Sequence, residues 1–350
     1  MLLRPSWIEA ARTRLSLLLI LVVAWQAGAS ARGVQELRLG YFPNLTHAQA
    51  LYARATGAFE RIGAHITWIA FNAGPGAMES VLTDAVDATF VGPSPTINAY
   101  IKSRGEKFVI LAGSASGGAG LVVRRDAGID NEREFGNKVI ATPQLGNTQD
   151  VAARAWLAAK GYRLRERGGN VTLVALSNPD QLNMFRKKQI DGVWTVEPWL
   201  SRLEVEGGGK LFLDEKELWP GGKFVVTHLV VSQSYLAANR MVLSNLLGAM
   251  IEVTGRLNAD RAAAITVLNG QLKKETGRAL QDEVIARAMG RVEFTWDPVC
   301  SSLKSSAEAS YRAGFLGTRP VLEGIYSLGL LNEVLKDRNL PPVEGASVQQ

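Results

Sequence analysis

The sequence predicts an α/β fold built as two lobes, each a mostly parallel, Rossmann-like sheet with helices on both faces. Three observations carry this. Strand-like and helix-like segments alternate from Leu37 to Ala112, and the alternation restarts at Lys138. Two stretches, Gly117 to Val123 and Phe224 to Val231, are placed to cross between the halves, and the first is Gly-rich, as a hinge or a set of turns requires. On that division residues 34–121 begin the first lobe and 122–224 form the second. Residues 225–340 return to the first lobe as a mostly helical segment, and 341–350 are a tail.

The elements follow in order. Leu37 to Phe42 reads as a strand, and Ala48, Leu51, Tyr52 and Ala55 then recur at helical spacing from about Thr46. His65 to Phe71 is the next strand. Asn72-Ala73-Gly74 turns, and Pro75 takes a first helical position, where its missing N–H has no partner to lose. After the strand Ala88 to Val91, Ser94 reads as an N-cap with Pro95 behind it, and Gly105 ends that helix. Phe108 to Ala112 completes the first series. In the second, Lys138 to Thr142, Val171 to Leu176 and Gly192 to Val196 are strands. Helices open after the loop 144–148, at Asn178 with Gln181 at capping-box spacing, and after Glu197-Pro198-Trp199. Helix patterns then dominate, over 236–257, 261–272, 280–289, 302–313 and 325–336.

Composition bounds the class. The 350 residues are 47% hydrophobic and 21% charged, as expected of a globular chain of two domains. Arg4, Arg12 and Arg14 precede an apolar run from Leu15 to Trp25, and Ala29-Ser30-Ala31 follows as a small-residue cleavage site, the layout of a secretory signal peptide over residues 1–31. Its removal takes three arginines and Glu9 and lowers the net charge from +6 to +4. That charge is spread without blocks of one sign, so no nucleic-acid partner is expected. Cys300 is the only cysteine, which excludes an intrachain disulfide and a Cys zinc cluster. His47, His65 and His228 lack HExxH spacing, so no metal or cofactor is expected.

In open α/β sheets, ligands sit beyond the carboxyl ends of the strands. The loop Gln144 to Thr148 is rich in amides and hydroxyls and has no cation until Arg154. Helix N-termini leave backbone N–H groups unpaired and carry partial positive charge, so they can hold a small anion without Lys or Arg. Asn147 and Thr148 from one lobe, with Asn44, Thr46 and Ser94 from the other, could form such a cradle; singly, each is also an ordinary cap. Five or six hydrogen bonds to a charged group, at about 1.5–3 kcal/mol each, give on the order of 10 kcal/mol gross. Micromolar affinity needs about 8 kcal/mol. Glu197 either caps the helix that Pro198 opens or meets a cationic part of a ligand. Trp194, Trp199 and Phe42 read as core, His228 as a core histidine in an apolar strand, and His47 as a cap or as a donor to an anion.

The segments GYFPNLTHAQAL (40–51), FNAGPGAMESVL (71–82), VGPSPTINAYI (91–101), GSASGGAGLVVR (113–124), ATPQLGNTQDVAARAWL (141–157), DGVWTVEPW (191–199) and VVTHLVV (225–231) resemble the solute-binding proteins of ABC importers, in the group serving sulfonates, taurine, nitrate and bicarbonate. The resemblance implies a two-lobed periplasmic binding protein of type II-like architecture that closes on its ligand. It implies a monomer that meets the membrane only through an ABC permease and its ATPase. It also implies that Phe42, Asn44, His47, Ser94, Ser116, Gln144, Asn147, Thr148, Glu197 and Thr227 line the cleft. The chain has no GxxxxGK[ST], so ATP chemistry would sit on another subunit. Glu197 argues for an organic ligand, an alkanesulfonate or a taurine-like compound, over nitrate or bicarbonate. The alternative is a secreted enzyme on a related scaffold, a hydrolase or a pyrimidine-precursor synthase. Against a serine hydrolase, Gly113-Ser114-Ala115-Ser116-Gly117 has Ala at the centre of its near-match to GxSxG. An acid–base pair of Glu197 with His47 or His228 would be the other route to chemistry.

Overall fold

The computed structural model describes residues 35–344; the expected signal segment and the last six residues of the tail lie outside this range. The first series comprises β1 (Gln35–Tyr41), a single turn Leu45–His47, α1 (Ala48–Thr56), β2 (Ala64–Ala70), α2 (Gly74–Leu82), β3 (Ala88–Val91), α3 (Pro93–Lys102) and β4 (Phe108–Gly117). The second comprises β5 (Ala119–Arg124), β6 (Val139–Thr142), α4 (Thr148–Ala159), β7 (Thr172–Ala175), α5 (Asn178–Arg186), β8 (Gly192–Val196), α6 (Trp199–Val205), β9 (Gly209–Asp214) and the turn Glu215–Leu218. The chain returns through β10 (Val225–Ser232), α7 (Gln233–Ala238), α8 (Arg240–Ala259), α9 (Arg261–Thr276), α10 (Asp282–Arg291), β11 (Val292–Phe294), α11 (Cys300–Arg312) and α12 (Gly329–Asp337).

Two sheets result, one in the order β11-β4-β10-β3-β1-β2, the other β7-β6-β8-β5-β9. They are mixed, which corrects the expectation of mostly parallel sheets. β1 runs parallel to β3, and β6 parallel to β7 and β8. β10 runs antiparallel to both β3 and β4, and β5 antiparallel to both β8 and β9. The physical cause is the crossing itself. A strand arriving from the other lobe enters at the end where the resident strands finish, so it must run back along them. Gly117 and Gly118, at φ 73° and 68°, make the first crossing, a conformation that only glycine adopts without strain. The second sheet thus takes over at Ala119, ahead of the expected limit at residue 121.

Each sheet is covered on both faces, and the two-residue period sorts the side chains. In the second sheet Leu121, Val123, Ile140 and Trp194 join Phe135 and Trp156 on one side, while Val122, Ala141 and Val193 join Phe185 and Leu200 on the other. In the first, Val109 and Leu111 face one cluster and Phe108 and Ile110 the opposite one. The sequence pattern missed β9 and β11. The first mixes Lys210 and Asp214 with its apolar residues, and the second has three residues, too few to show a period. The helix expected over 236–257 breaks at Asn239, into α7 and α8. Among the described residues no helix is long and apolar enough to cross a membrane.

Candidate functional site

The carboxyl ends of β1, β3, β6 and β8 meet around a small cavity between the two sheets, about 40 Å³ in volume. Phe42, Asn44, Thr46, His47, Asn72, Gly74, Gly92 and Val226 line it from the first lobe. Pro143, Asn147, Thr148, Gln149, Asn178 and Val196 line it from the second. No Lys, Arg, Asp or Glu belongs to this wall. Helix starts supply it: the turn at Leu45, α2, α4 and α5 all begin here. At α2 the N-cap Ala73 has no side chain to bond the free N–H groups, so they remain available.

The side chains have a common polarity. Asn44 Oδ1 accepts from Thr46 N at 3.1 Å and from Thr46 Oγ1 at 2.7 Å. Asn147 Oδ1 caps α4 by accepting from Asp150 N at 2.8 Å, and Asn178 Oδ1 accepts from Thr195 Oγ1 at 3.1 Å. The hydrogen-bond network therefore engages the amide oxygens; Asn147 Nδ2 also donates to Gln149 Oε1 at 3.3 Å, and the NH₂ groups of Asn44 and Asn178 are the amide donors left beside the cavity. His47 fits the same scheme. Its Nδ1 accepts from Phe42 N at 3.2 Å, which assigns the proton of the neutral ring to Nε2. Its ring stacks on Phe42 with centroids 4.2 Å apart, and burial pushes its pKa down to about 3, so it is an uncharged donor at neutral pH.

The lobes touch at this point. Ser94 N donates to Thr148 Oγ1 at 3.4 Å, across the cleft. Gly92 permits that approach, because a Cβ there would lie 2.5 Å from Thr148 Oγ1. Asp150 holds the loop behind Thr148 by accepting from Thr142 Oγ1, Gly146 N and Arg154 Nε, each at 3.0 Å. Arg154 is thus engaged with Asp150 and Glu166, not turned to the cavity.

Of the ten expected site residues, the structure brings Phe42, Asn44, His47, Asn147 and Thr148 to the cavity wall. Ser94 is buried beside it and reaches Thr148 through its backbone; α3 starts at Pro93 with Gly92 as N-cap, so Ser94 is not the cap. Gln144 is exposed. Ser116 lies within β4, opposite Glu293 of β11, and Thr227 is fully buried within β10; neither belongs to the wall. Glu197 is fully buried outside the wall, and its carboxylate accepts from Ser201 N at 3.1 Å, Ser201 Oγ at 2.9 Å and Arg291 Nη1 at 3.1 Å. It caps α6 and joins the lobes at the hinge, where Glu197 N donates to Gly118 O. His228 Nε2 lies 3.3 Å from Pro298 O, so neither histidine pairs with Glu197. N-capping also falls one residue early at α5, on Ser177, which frees Asn178 for the cavity. Asn178 and Gln149 are wall residues missing from the expected set. Their signal was position, the first turn of a helix just after a strand.

Residues 30–269 match the NMT1-like family, most of the chain. The chain belongs to that family. Among curated proteins, a putative aliphatic sulfonates-binding protein of Bacillus subtilis is 26% identical over 210 residues, covering 57% of this chain and 61% of its own length. The chain thus spans less than two thirds of that relative. Among solved structures, the alkanesulfonate-binding protein SsuA of Xanthomonas axonopodis pv. citri, bound to MOPS, superposes with a TM-score of 0.70 at 20% identity, over 84% of this chain and 98% of that one. The periplasmic nitrate-binding protein NrtA of Synechocystis PCC 6803 gives 0.74 at 15% identity, over 88% and 90%. This NMT1-like chain has the two-lobed fold of periplasmic binding proteins.

Proposed function

We propose that this protein is the solute-binding component of an ABC importer. It captures a small organic oxyanion outside the inner membrane, an alkanesulfonate or a taurine-like compound in preference to nitrate or bicarbonate, and no covalent step occurs. The observation that carries this reading is the cavity wall. Both lobes give it neutral donors and neither gives it a charged side chain. The resemblance to sulfonate-binding and nitrate-binding proteins supports the same chemistry. Asn44, His47, Asn147, Thr148 and Asn178 would hold the anion, and Phe42 would shape the wall. A ligand bridging both lobes favours the closed state, which a permease with its ATPase would then accept. Residues 1–31 would direct export to the periplasm.

Mass spectrometry of the solute that co-purifies with the native protein tests the proposal, followed by thermal-shift titration with taurine, alkanesulfonates, nitrate, bicarbonate and phosphonates. Stabilisation by a sulfonate without its turnover is the expected result; turnover would overturn it. Thr148→Val removes one donor to a charged group, about 1.5–3 kcal/mol. Sulfonate affinity should fall by that amount while the unfolding midpoint of the empty protein barely moves. Equal losses in both would reduce Thr148 to a helix-start residue.

A further inference from the structure

Beyond the contact of Ser94 with Thr148 lies a second, larger chamber of about 280 Å³. Thr148 belongs to the walls of both spaces, which therefore adjoin at that side chain, where it accepts from Ser94 N. Val151, Trp156, Leu218, Trp219 and Phe224 make the second wall largely apolar, and Trp219 stacks on Phe224 with centroids 5.4 Å apart. One carboxylate, Glu215, belongs to the same wall and is 2% exposed.

Glu215 is unlike the other buried acids near the cleft. Glu197 has Arg291 and Asp150 has Arg154. Glu215 accepts from Trp194 Nε1 at 2.8 Å, and among the described residues no Lys, Arg or His forms an ion pair with it. The Trp219 indole N–H also favours its charged form. Burial outweighs both and pushes the carboxyl up to about 7. A buried carboxylate without a cation is costly to keep, and aromatic faces beside one are the usual surroundings of a bound ammonium.

We infer that the chamber formed by Glu215, Trp156, Trp219 and Phe224 receives a cationic group, so that the preferred ligand is a zwitterion with an oxyanion at one end and a substituted ammonium at the other. The oxyanion lies in the cradle and the connecting chain passes Thr148. The ammonium meets the Glu215 carboxylate among the aromatic side chains of the same wall. This rests on the oxyanion reading above and adds to it the class of the ligand's far end.

Calorimetric titration of the whole protein with two sulfonates of one shape tests it. The probes are 3-(trimethylammonio)propane-1-sulfonate and its uncharged carbon isostere, 4,4-dimethylpentane-1-sulfonate. The expected result is a preference of about tenfold or more for the zwitterionic probe, and its loss in Glu215→Gln with binding of the isostere retained. Equal affinity of the unmodified protein for the two probes would overturn the inference and leave the oxyanion cradle standing. So would a preference that survives Glu215→Gln. Failure of every sulfonate to bind would overturn both. The two-probe comparison needs no variant, so a folding defect in Glu215→Gln cannot mask the outcome.

Discussion

Asn44, Asn147 and Asn178 show how a neutral residue becomes a directional one. Each gives its carbonyl oxygen to a neighbouring donor within three residues or across to Thr195; Asn147 also donates through Nδ2 to Gln149 Oε1, while Asn44 and Asn178 have their NH₂ groups beside the cavity. Asn147 was legible from its place before an Ala-rich helix. For Glu197 the capping role was one of the two readings, but its ion pair was not legible, since Arg291 lies 94 residues away in the chain. Glu215 left no signal either, because its meaning comes from Trp194, 21 residues earlier on β8, and from the lack of an ion pair among the described residues. Its titration gives a prediction at this scale. Its folded-state pKa, about 7, lies above the ordinary 4.5, so it contributes stability below pH 4.5 that is lost as pH rises through 7. Glu215→Gln does not titrate. Between pH 5 and 8.5 the variant should therefore gain about 2 kcal/mol on the unmodified, ligand-free protein, read from urea midpoints at the two pH values. No relative gain would mean that Glu215 titrates as an ordinary carboxyl.

At the scale of elements, the strand-then-helix grammar was readable because each helix start carries a local stop signal and each strand a short apolar run. The antiparallel strands β5 and β10 were visible as crossings. Their direction was not, because direction depends on which end of a sheet the chain enters. Helix starts were readable only to within a few residues, the last opening at Gly329 for an expected 325, and at α5 a single residue decides between a cap and a cavity donor. Element packing also explains Gly92. It lets α3 and α4 approach until Ser94 and Thr148 meet. Gly92→Ala puts a methyl carbon 2.5 Å from Thr148 Oγ1 and props the cleft open. Sulfonate affinity should fall about tenfold, as expected when the binding-competent state becomes the minor one, while the unfolding midpoint stays nearly constant. An unchanged affinity would show that Thr148 simply turns aside.

For the molecule as a whole, two lobes and two crossings were predictable from the repeat of the same grammar, and the family likeness agreed with it. The fastening between the lobes was not. Arg291 at the end of α10 reaches Glu197 and Glu204 of the second lobe, both of them buried or nearly so. A carboxylate kept dry by its partner is strongly destabilised when that partner is lost. The crossing thus turns at Gly117 and Gly118, both at positive φ, and is fastened beside them by the Arg291 ion pairs.

The charge-free wall of the cradle has a consequence for the water outside it. Raising ionic strength from about 0.01 M to 1 M shortens the range of electrostatic force from about 30 Å to 3 Å. A pocket that relied on lysines would lose much of its grip over that range. On the proposed reading the attraction would come from dipoles in direct contact with the anion, too close for salt to intervene. Affinity for the carbon-tailed sulfonate should thus change less than about twofold across that range, so a scavenger built this way works alike in fresh and in brackish surroundings.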